Sequence, residues 1–261
     1  MVNLTRASNP KPGTAMKIFI QFDPSFDFFL PTPNNGEPFA HSLNRRASVK
    51  DIIESLGVPH TEVGGLTFNH QDIDFTHAPS APGLLGVQAI QPPFTVLSPS
   101  LLRPLPLDDI KFIADVNVIR LGRILILLGF DVTYSSFYSD NEIADIAESE
   151  GRIVLTRDTA LLKRKKIVFA RRLRSNLPYD QLGEVIHFFG LGSLISFFSR
   201  CTKCNLTLVS VSKKEVISLL EPKTKTYFHT FFQCPGCKRV FWQGSHYENI
   251  RKKMSCLGIL Y

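Results

Sequence analysis

Four of the five cysteines stand in two tight pairs, Cys201-Thr-Lys-Cys204 and Cys234-Pro-Gly-Cys237, with 29 residues between them. Two such knuckles can present four thiolates to one tetrahedral ion. The spacing predicts a structural zinc site, a zinc ribbon with no open coordination position. Pro235 and Gly236 supply the tight turn of the second knuckle. The alternative is two disulfides, which need an oxidising compartment that nothing in the sequence announces. Cys256 lies outside the pattern and reads as an ordinary, partly buried thiol.

A second set of candidates is acidic. Asp115 ends an apolar strand, Phe112-Ile113-Ala114; Asp158 follows a strand over Arg152 to Thr156; Asp140 and Glu142 open the helix after an intervening strand. In an open parallel sheet the functional crevice lies beyond the carboxyl ends of the strands, so three loops deliver acids to one rim. Clustered carboxylates repel one another unless a cation joins them. Mg²⁺ or Mn²⁺ requires hard oxygen ligands of this kind. Such an ion activates water and stabilises charge on a phosphodiester, the chemistry of a metal-dependent nuclease. Asp115, Asp140, Glu142 and Asp158 are the candidate catalytic residues, with Asp115 and Asp158 as Mg²⁺ or Mn²⁺ ligands. Each has a competing role. Asp140 can answer the helix dipole, Glu142 can complete a capping box with Ser139, and Asp158 can cap the helix at Thr159. Asp115 alone ends its strand with no cap to make.

The elements that position these residues fall into two blocks. Residues 1–15 are polar and are expected to be a disordered tail. From 16 to 95 the pattern is α+β. Lys17 to Phe22 alternates as a strand does. Ser48 and Asp51 open a helix whose apolar positions are Val49, Ile52, Ile53 and Leu56, and Gly57 ends it. Leu66 to Phe68 and Gly86 to Ile90 read as strands, with Asn69-His70 as a turn. Residues 96–108 lie in a Pro/Ser/Leu stretch expected to be a linker.

From 109 to 195 strand and helix alternate. The expected strands are 112–114, 130–134, 152–156 and 167–170; the expected helices are 118–128, 139–150, 159–165 and 179–189. Short connections predict a parallel twisted sheet covered on both faces. Residues 196–261 hold the cysteine knuckles. The fold class expected is therefore α/β: an α+β roll, a parallel-sheet domain and a zinc ribbon.

The formal charge is +7. Residues 1–105 carry a net −1 and residues 106–261 a net +8, so the excess belongs to the block with the acids and cysteines. It clusters at Lys163-Arg164-Lys165-Lys166, Arg171-Arg172-Leu173-Arg174 and Arg251-Lys252-Lys253. Three basic clusters predict a polyanion partner, RNA or DNA, against the alternative of a solvated face. Arg120, Arg123, Arg157, Lys163, Arg164, Arg171, Arg172 and His246 are the candidate nucleic-acid contacts; His246 can equally pack on the ribbon, as Phe241 and Trp242 are expected to. The longest uncharged stretch, Phe75 to Leu102, contains five prolines and does not make a membrane helix. A cytoplasmic protein with no membrane partner is expected.

These residues together resemble one family. Phe112 to Asp115, Arg120-Leu121-Gly122-Arg123, Leu127 to Asp131, Asp140-Asn141-Glu142-Ile143 and Glu150 to Asp158 look like the Mut-seven C-terminal RNase family. The tail agrees, from Cys201 through Cys237 to Trp242-Gln-Gly-Ser-His-Tyr247. Ala47 to Val63 resembles the ubiquitin-like domain commonly fused to that family. The resemblance implies a PIN-like nuclease fold with a zinc ribbon, RNA as substrate, and an active site at Asp115, Asp140 or Glu142, and Asp158. It also implies a protein partner for the ubiquitin-like part, which continues through Pro92-Pro93 and so has no free terminal Gly-Gly. The sequence departs from the PIN pattern in two respects, the first being Asn141 in a place where an acid would be unsurprising. Second, the stretch where a fourth acid belongs, Ile167 to Arg174, carries none, which opens an alternative: a non-catalytic RNA-binding or adaptor protein.

Overall fold

A computed structural model describes residues 16–256 and 258; the expected tail at 1–15 lies outside the described residues. Two units divide between Ile90 and Gln91.

The first unit is built on β1 (Met16–Phe22), whose alternation buries Ile18, Ile20 and Phe22 and leaves Lys17, Phe19 and Gln21 outward. With β2 (Phe39–Leu43), β3 (Val63–Phe68), β4 (Gln71–Asp72) and β5 (Leu84–Ala89) it forms a mixed sheet of order β2-β1-β5-β3-β4. The central pair β1–β5 is parallel and the other pairings are antiparallel. Helix α1 (Val49–Ser55) starts where expected. The Ser48 hydroxyl accepts from the Asp51 amide and donates to its carboxylate, and Val49, Ile52 and Ile53 are buried. Asn69 and His70 both turn at positive φ, as a two-residue hairpin requires. Strand β2 was not expected. Its FAHSL sequence has one buried residue, so an edge strand of this kind leaves little alternation to read.

The second unit holds a four-stranded sheet of β6 (Lys111–Ala114), β7 (Asp131–Tyr134), β8 (Ile153–Thr156) and β9 (Ala170–Arg172). Its order is β7-β6-β8-β9 and every pairing is parallel. Four helices accompany it: α2 (Ile119–Leu127), α3 (Asp140–Glu150), α4 (Thr159–Leu162) and α5 (Pro178–Phe189). The chain leaves β6 toward β7 on one side, then crosses back to β8 on the other. Right-handed crossovers in opposite directions place successive helices on opposite faces. Accordingly α2 packs beside α5, while α3 and α4 bury Ile143, Ala144, Ala147, Leu161 and Leu162 against Ile113 and Val154. The reversal puts a topological switch point between the carboxyl ends of β6 and β8.

Two segments differ from expectation. The last strand forms at Ala170–Arg172 rather than 167–170. A turn donating from the Ile167 amide to the Arg164 carbonyl delivers the chain late, so Ile167 and Phe169 are buried ahead of the full ladder. Arg171 and Arg172 thereby become strand residues. The Pro-rich stretch at 96–108 is packed instead of free. Val96 and Leu102 are buried, the Leu107 amide donates to the Val96 carbonyl, and Arg103, 3 % exposed, donates from Nε to the Val168 carbonyl. Prolines prevent this segment from joining a ladder, but its apolar side chains still bury.

The cysteine-bearing part comprises β10 (Val209–Val211), α6 (Lys213–Val216), α7 (Pro222–Tyr227), β11 (Phe231–Gln233), β12 (Val240–Phe241) and α8 (Ser245–Cys256). Its strands pair antiparallel in the order β10-β11-β12. Phe241 packs with the cysteines and Trp242 with Val216, Leu220 and Phe231, as core residues. Cys256 is exposed on α8 rather than partly buried, because it falls on the helix face away from Ile250 and Met254.

Asp131 joins this part to the parallel sheet. Its carboxylate accepts from Arg152 (2.6 Å) and Asn205 (2.9 Å) and lies 3.4 Å from Arg200. Burial alone would raise the Asp131 carboxyl, but the hydrogen bonds from Arg152 and Asn205 and the charges of Arg152 and Arg200 hold it below the ordinary carboxylate range. Nearby, Ser196 and Phe198 donate amides to the carbonyls of Leu128 and Leu127. That close approach requires Gly129, whose φ is +96° and where a Cβ would stand 2.4 Å from the Ser196 carbonyl oxygen.

Two outcomes follow from this junction. Gly129→Ala lowers stability by about 2–3 kcal/mol in urea unfolding, combining a left-handed φ with a backbone clash; a loss under about 0.5 kcal/mol contradicts the fit described. Asp131→Asn costs about 1–2 kcal/mol at neutral pH, allowing for solvent that reaches the group. A carboxyl whose folded pKa is depressed stabilises above its unfolded pKa and loses that contribution as pH falls through the folded value. The parent and Asp131→Asn stability curves therefore converge below about pH 4. Parallel curves down to pH 2 remove Asp131 from the junction.

Candidate active site and metal centre

Asp115, which is 7 % exposed, follows directly on strand β6. Its amide donates to the Leu155 carbonyl of the neighbouring β8. One carboxylate oxygen accepts from the Val116 amide, capping a 3₁₀ turn over Val116–Val118. The expectation that Asp115 has no cap to make is thus corrected: a tight turn intervenes before α2. The other oxygen accepts from the Thr156 hydroxyl at 2.6 Å and from the Asn117 side-chain amide. Burying a carboxylate is costly unless donors meet it, and here three do.

Thr156, fully buried at the end of β8, ties two acids together. While its hydroxyl donates to Asp115, the same oxygen accepts from the Asp158 amide at 2.9 Å. Asp158 caps α4 by accepting from the Ala160 amide through one oxygen, at 2.7 Å. Among the described residues its second oxygen accepts no hydrogen bond, and the residue is exposed. Asn117 braces the same lip, accepting from the Arg157 amide at 3.0 Å. Sequence inspection did not single out Thr156 or Asn117. A hydroxyl closing an otherwise apolar strand, two residues before an acid, is the signal that could have found Thr156.

The two acids of α3 are engaged elsewhere. Glu142 closes a capping box, accepting from the Ser139 amide and hydroxyl, both at 2.7 Å. Those bonds, the backbone one foremost, lower its pKa. Asp140 pairs with Arg164 at 3.1 Å, and Asn141 also accepts from Arg164. Both acids lie on the sheet edge expected, but among the described residues no carboxylates converge as a group of three ligand atoms.

The cationic candidates divide. Arg120 and Arg123 are exposed on α2, with the Arg123 guanidinium 5.8 Å from the Tyr134 ring centre. Arg157 lies beside the acids, and its buried Nε has no partner. Arg164 is spent on Asp140. Arg171 pairs with Glu184 at 2.9 Å and stacks 4.1 Å over Phe188. Arg172 donates to the Thr159 hydroxyl. These strand arginines are structural cations that cement β9 to α4 and α5, and the role of RNA contact expected for Arg171 meets a committed side chain. Lys163 caps the end of α4. The His246 side chain lies outside the described residues.

The four cysteine sulfurs lie within 4.8 Å of one another and none is in a disulfide. Cys201 and Cys237 are 3.6 Å apart. Around a tetrahedral ion with metal–sulfur bonds of about 2.3 Å, sulfurs sit roughly 3.8 Å apart. The cluster thus fits one ion. Hydrogen bonding to Cys237 pushes the Cys204 thiol up to about 12, and burial raises Cys201; the Arg239 backbone amide draws Cys237 down to about 7. Protons crowd such a site because four thiolates cannot share it uncompensated, and a bound cation displaces them.

A family model described as Mut7-C RNAse domain matches residues 110–254, and one described as Mut7-C ubiquitin matches residues 15–94. No curated protein and no solved structure matches the chain. Among the described residues no helix is long and apolar enough to cross a membrane.

The purified chain is expected to carry one metal ion by elemental analysis. Cys234→Ser should release that ion and unfold the part around β10–β12, seen as lost amide-exchange protection there. Full metal occupancy in that variant rejects the four-sulfur site.

Proposed function

The chain belongs to the Mut7-C RNAse family, and from that premise we propose that it is a metal-dependent ribonuclease hydrolysing RNA phosphodiesters. The observation that carries this reading is the Asp115–Thr156–Asp158 linkage at the switch point of the parallel sheet. Open α/β sheets bind ligands there.

The acids retain room for an ion. The Asp115 oxygen bound to the Val116 amide has a second lone pair, and one Asp158 oxygen is unengaged. Asp115 and Asp158 would hold Mg²⁺ or Mn²⁺, both suited to carboxylate and water ligands. The ion supplies Lewis acidity toward the phosphodiester and the attacking water. Thr156 and Asn117 fix the Asp115 carboxylate, and the half-buried Arg157 on the same lip would bring its charge to a phosphate. Asp140 and Glu142 each commit one oxygen, to Arg164 and to Ser139, and their part would be to complete the water shell at the rim. In the cysteine site the metal is zinc, since four thiolates select a soft-tolerant tetrahedral ion and leave it no catalytic position. The ubiquitin-like unit serves as a docking module for a protein partner.

A second reading is favoured by two observations: Glu142 and Asp140 each commit an oxygen to Ser139 and Arg164, and Ile167 to Arg174 supplies no further acid. On that reading the scaffold binds RNA without cutting it. Asp115→Asn discriminates. The ribonuclease reading expects cleavage to fall at least about 100-fold while RNA binding by the variant persists. Equal cutting by parent and variant removes Asp115 from the mechanism. Binding without Mn²⁺-dependent turnover in the parent establishes the second reading.

A further inference from the structure

Phe137 is 91 % exposed, the most outward of the large apolar side chains among the described residues. It sits in the loop between β7 and α3. Ala114 and Tyr134 are paired in register, so this loop leaves the sheet at the edge where Asp115 lies. The loop is held. The Phe137 amide donates to the Ser135 hydroxyl at 3.1 Å, and the next residue, Tyr138, packs on the core formed by Ile143 and Leu161. With Tyr138 anchored inward, the Phe137 ring is directed to solvent by a fixed backbone. Val116, directly after Asp115, is also exposed at 55 %.

Resting on the ribonuclease reading, we propose that Phe137 is a stacking platform for an unpaired base of the RNA at this edge. Aromatic faces bind bases with little sequence preference when cationic groups hold the backbone alongside. The cations are present at this edge. Arg123 lies over Tyr134, the last residue of β7, Arg120 is exposed on the same helix, and Arg157 follows β8. These charges favour a polyanion over an apolar protein surface as the occupant. Bases inside a duplex stack on one another and offer no face to the ring, whereas unpaired bases do.

The test uses the full chain carrying Asp115→Asn, which prevents cutting. Fluorescence anisotropy is read with a labelled mixed-sequence oligoribonucleotide and with a labelled RNA hairpin of mostly duplex character. Adding Phe137→Ala should weaken single-strand binding about 5- to 100-fold and leave hairpin binding and the thermal melt unchanged. Phe137→Trp should restore single-strand binding, and Phe137→Leu should not. Undiminished single-strand binding by Phe137→Ala, an equal loss on the hairpin, or full rescue by Phe137→Leu overturns the proposal; the last result would mark an apolar protein contact instead. If the Asp115→Asn chain binds neither RNA, the ribonuclease reading falls together with this one.

Discussion

The Thr156 hydroxyl bound to the Asp115 carboxylate is the contact on which the functional edge depends. A carboxylate 7 % exposed at the end of an apolar strand needs hydrogen-bond donors to offset the cost of its burial. Parallel pairing of β6 and β8 places Thr156 beside it, and the Asp115 amide bond to Leu155 fixes the register. Because the same hydroxyl oxygen accepts the Asp158 amide, the second acid inherits its position from the first. Asn117 then bridges to the Arg157 amide, so a cation stands on the same lip. One short network thus sets the spacing of two acids and an arginine drawn from two strands.

The sheet presents that edge, and the cysteine-bearing part is secured to it from behind β7. Asp131 begins β7 at the opposite end from Tyr134, and it gathers Arg152, Arg200 and Asn205. Asn205 follows Cys204 directly, so the first knuckle and the first residue of β7 share a hydrogen bond. A metal that orders the knuckle therefore also orders Asn205, coupling ion binding to the stability of the sheet margin.

Much of this was legible in the sequence because local chemistry and global fold agree there. Ser139 with Glu142, Ser48 with Asp51, and the glycines after their helices name element ends directly, and the structure places caps at those positions. The cysteine spacing announced its cluster. The rest was hidden for physical reasons. Strand β2 lies at an edge and buries too little to show alternation. The 96–108 stretch is broken by Pro99, Pro104 and Pro106, so it gave no element to read, yet it buries Val96 and Leu102. At the acidic edge, residue type alone could not separate a cap from a ligand. Glu142 and Asp158 are caps that each bond through a single oxygen, and Asp115 caps a turn that no motif announced. Thr156 carries the network but its one signal, a hydroxyl closing an apolar strand, is weak, since threonine is an ordinary strand residue until its neighbour across the sheet is known.

The central claim is that Asp115 and Asp158 trap a hard divalent ion that acts on RNA. It is tested most directly by cleavage of a labelled single-stranded RNA with protein desalted into metal-free buffer, its cysteine-bound ion retained, before and after Mn²⁺ is added. The account predicts no cutting before addition and cutting that rises and saturates with Mn²⁺. Cutting at full rate without added metal, or none at any Mn²⁺ concentration, contradicts it.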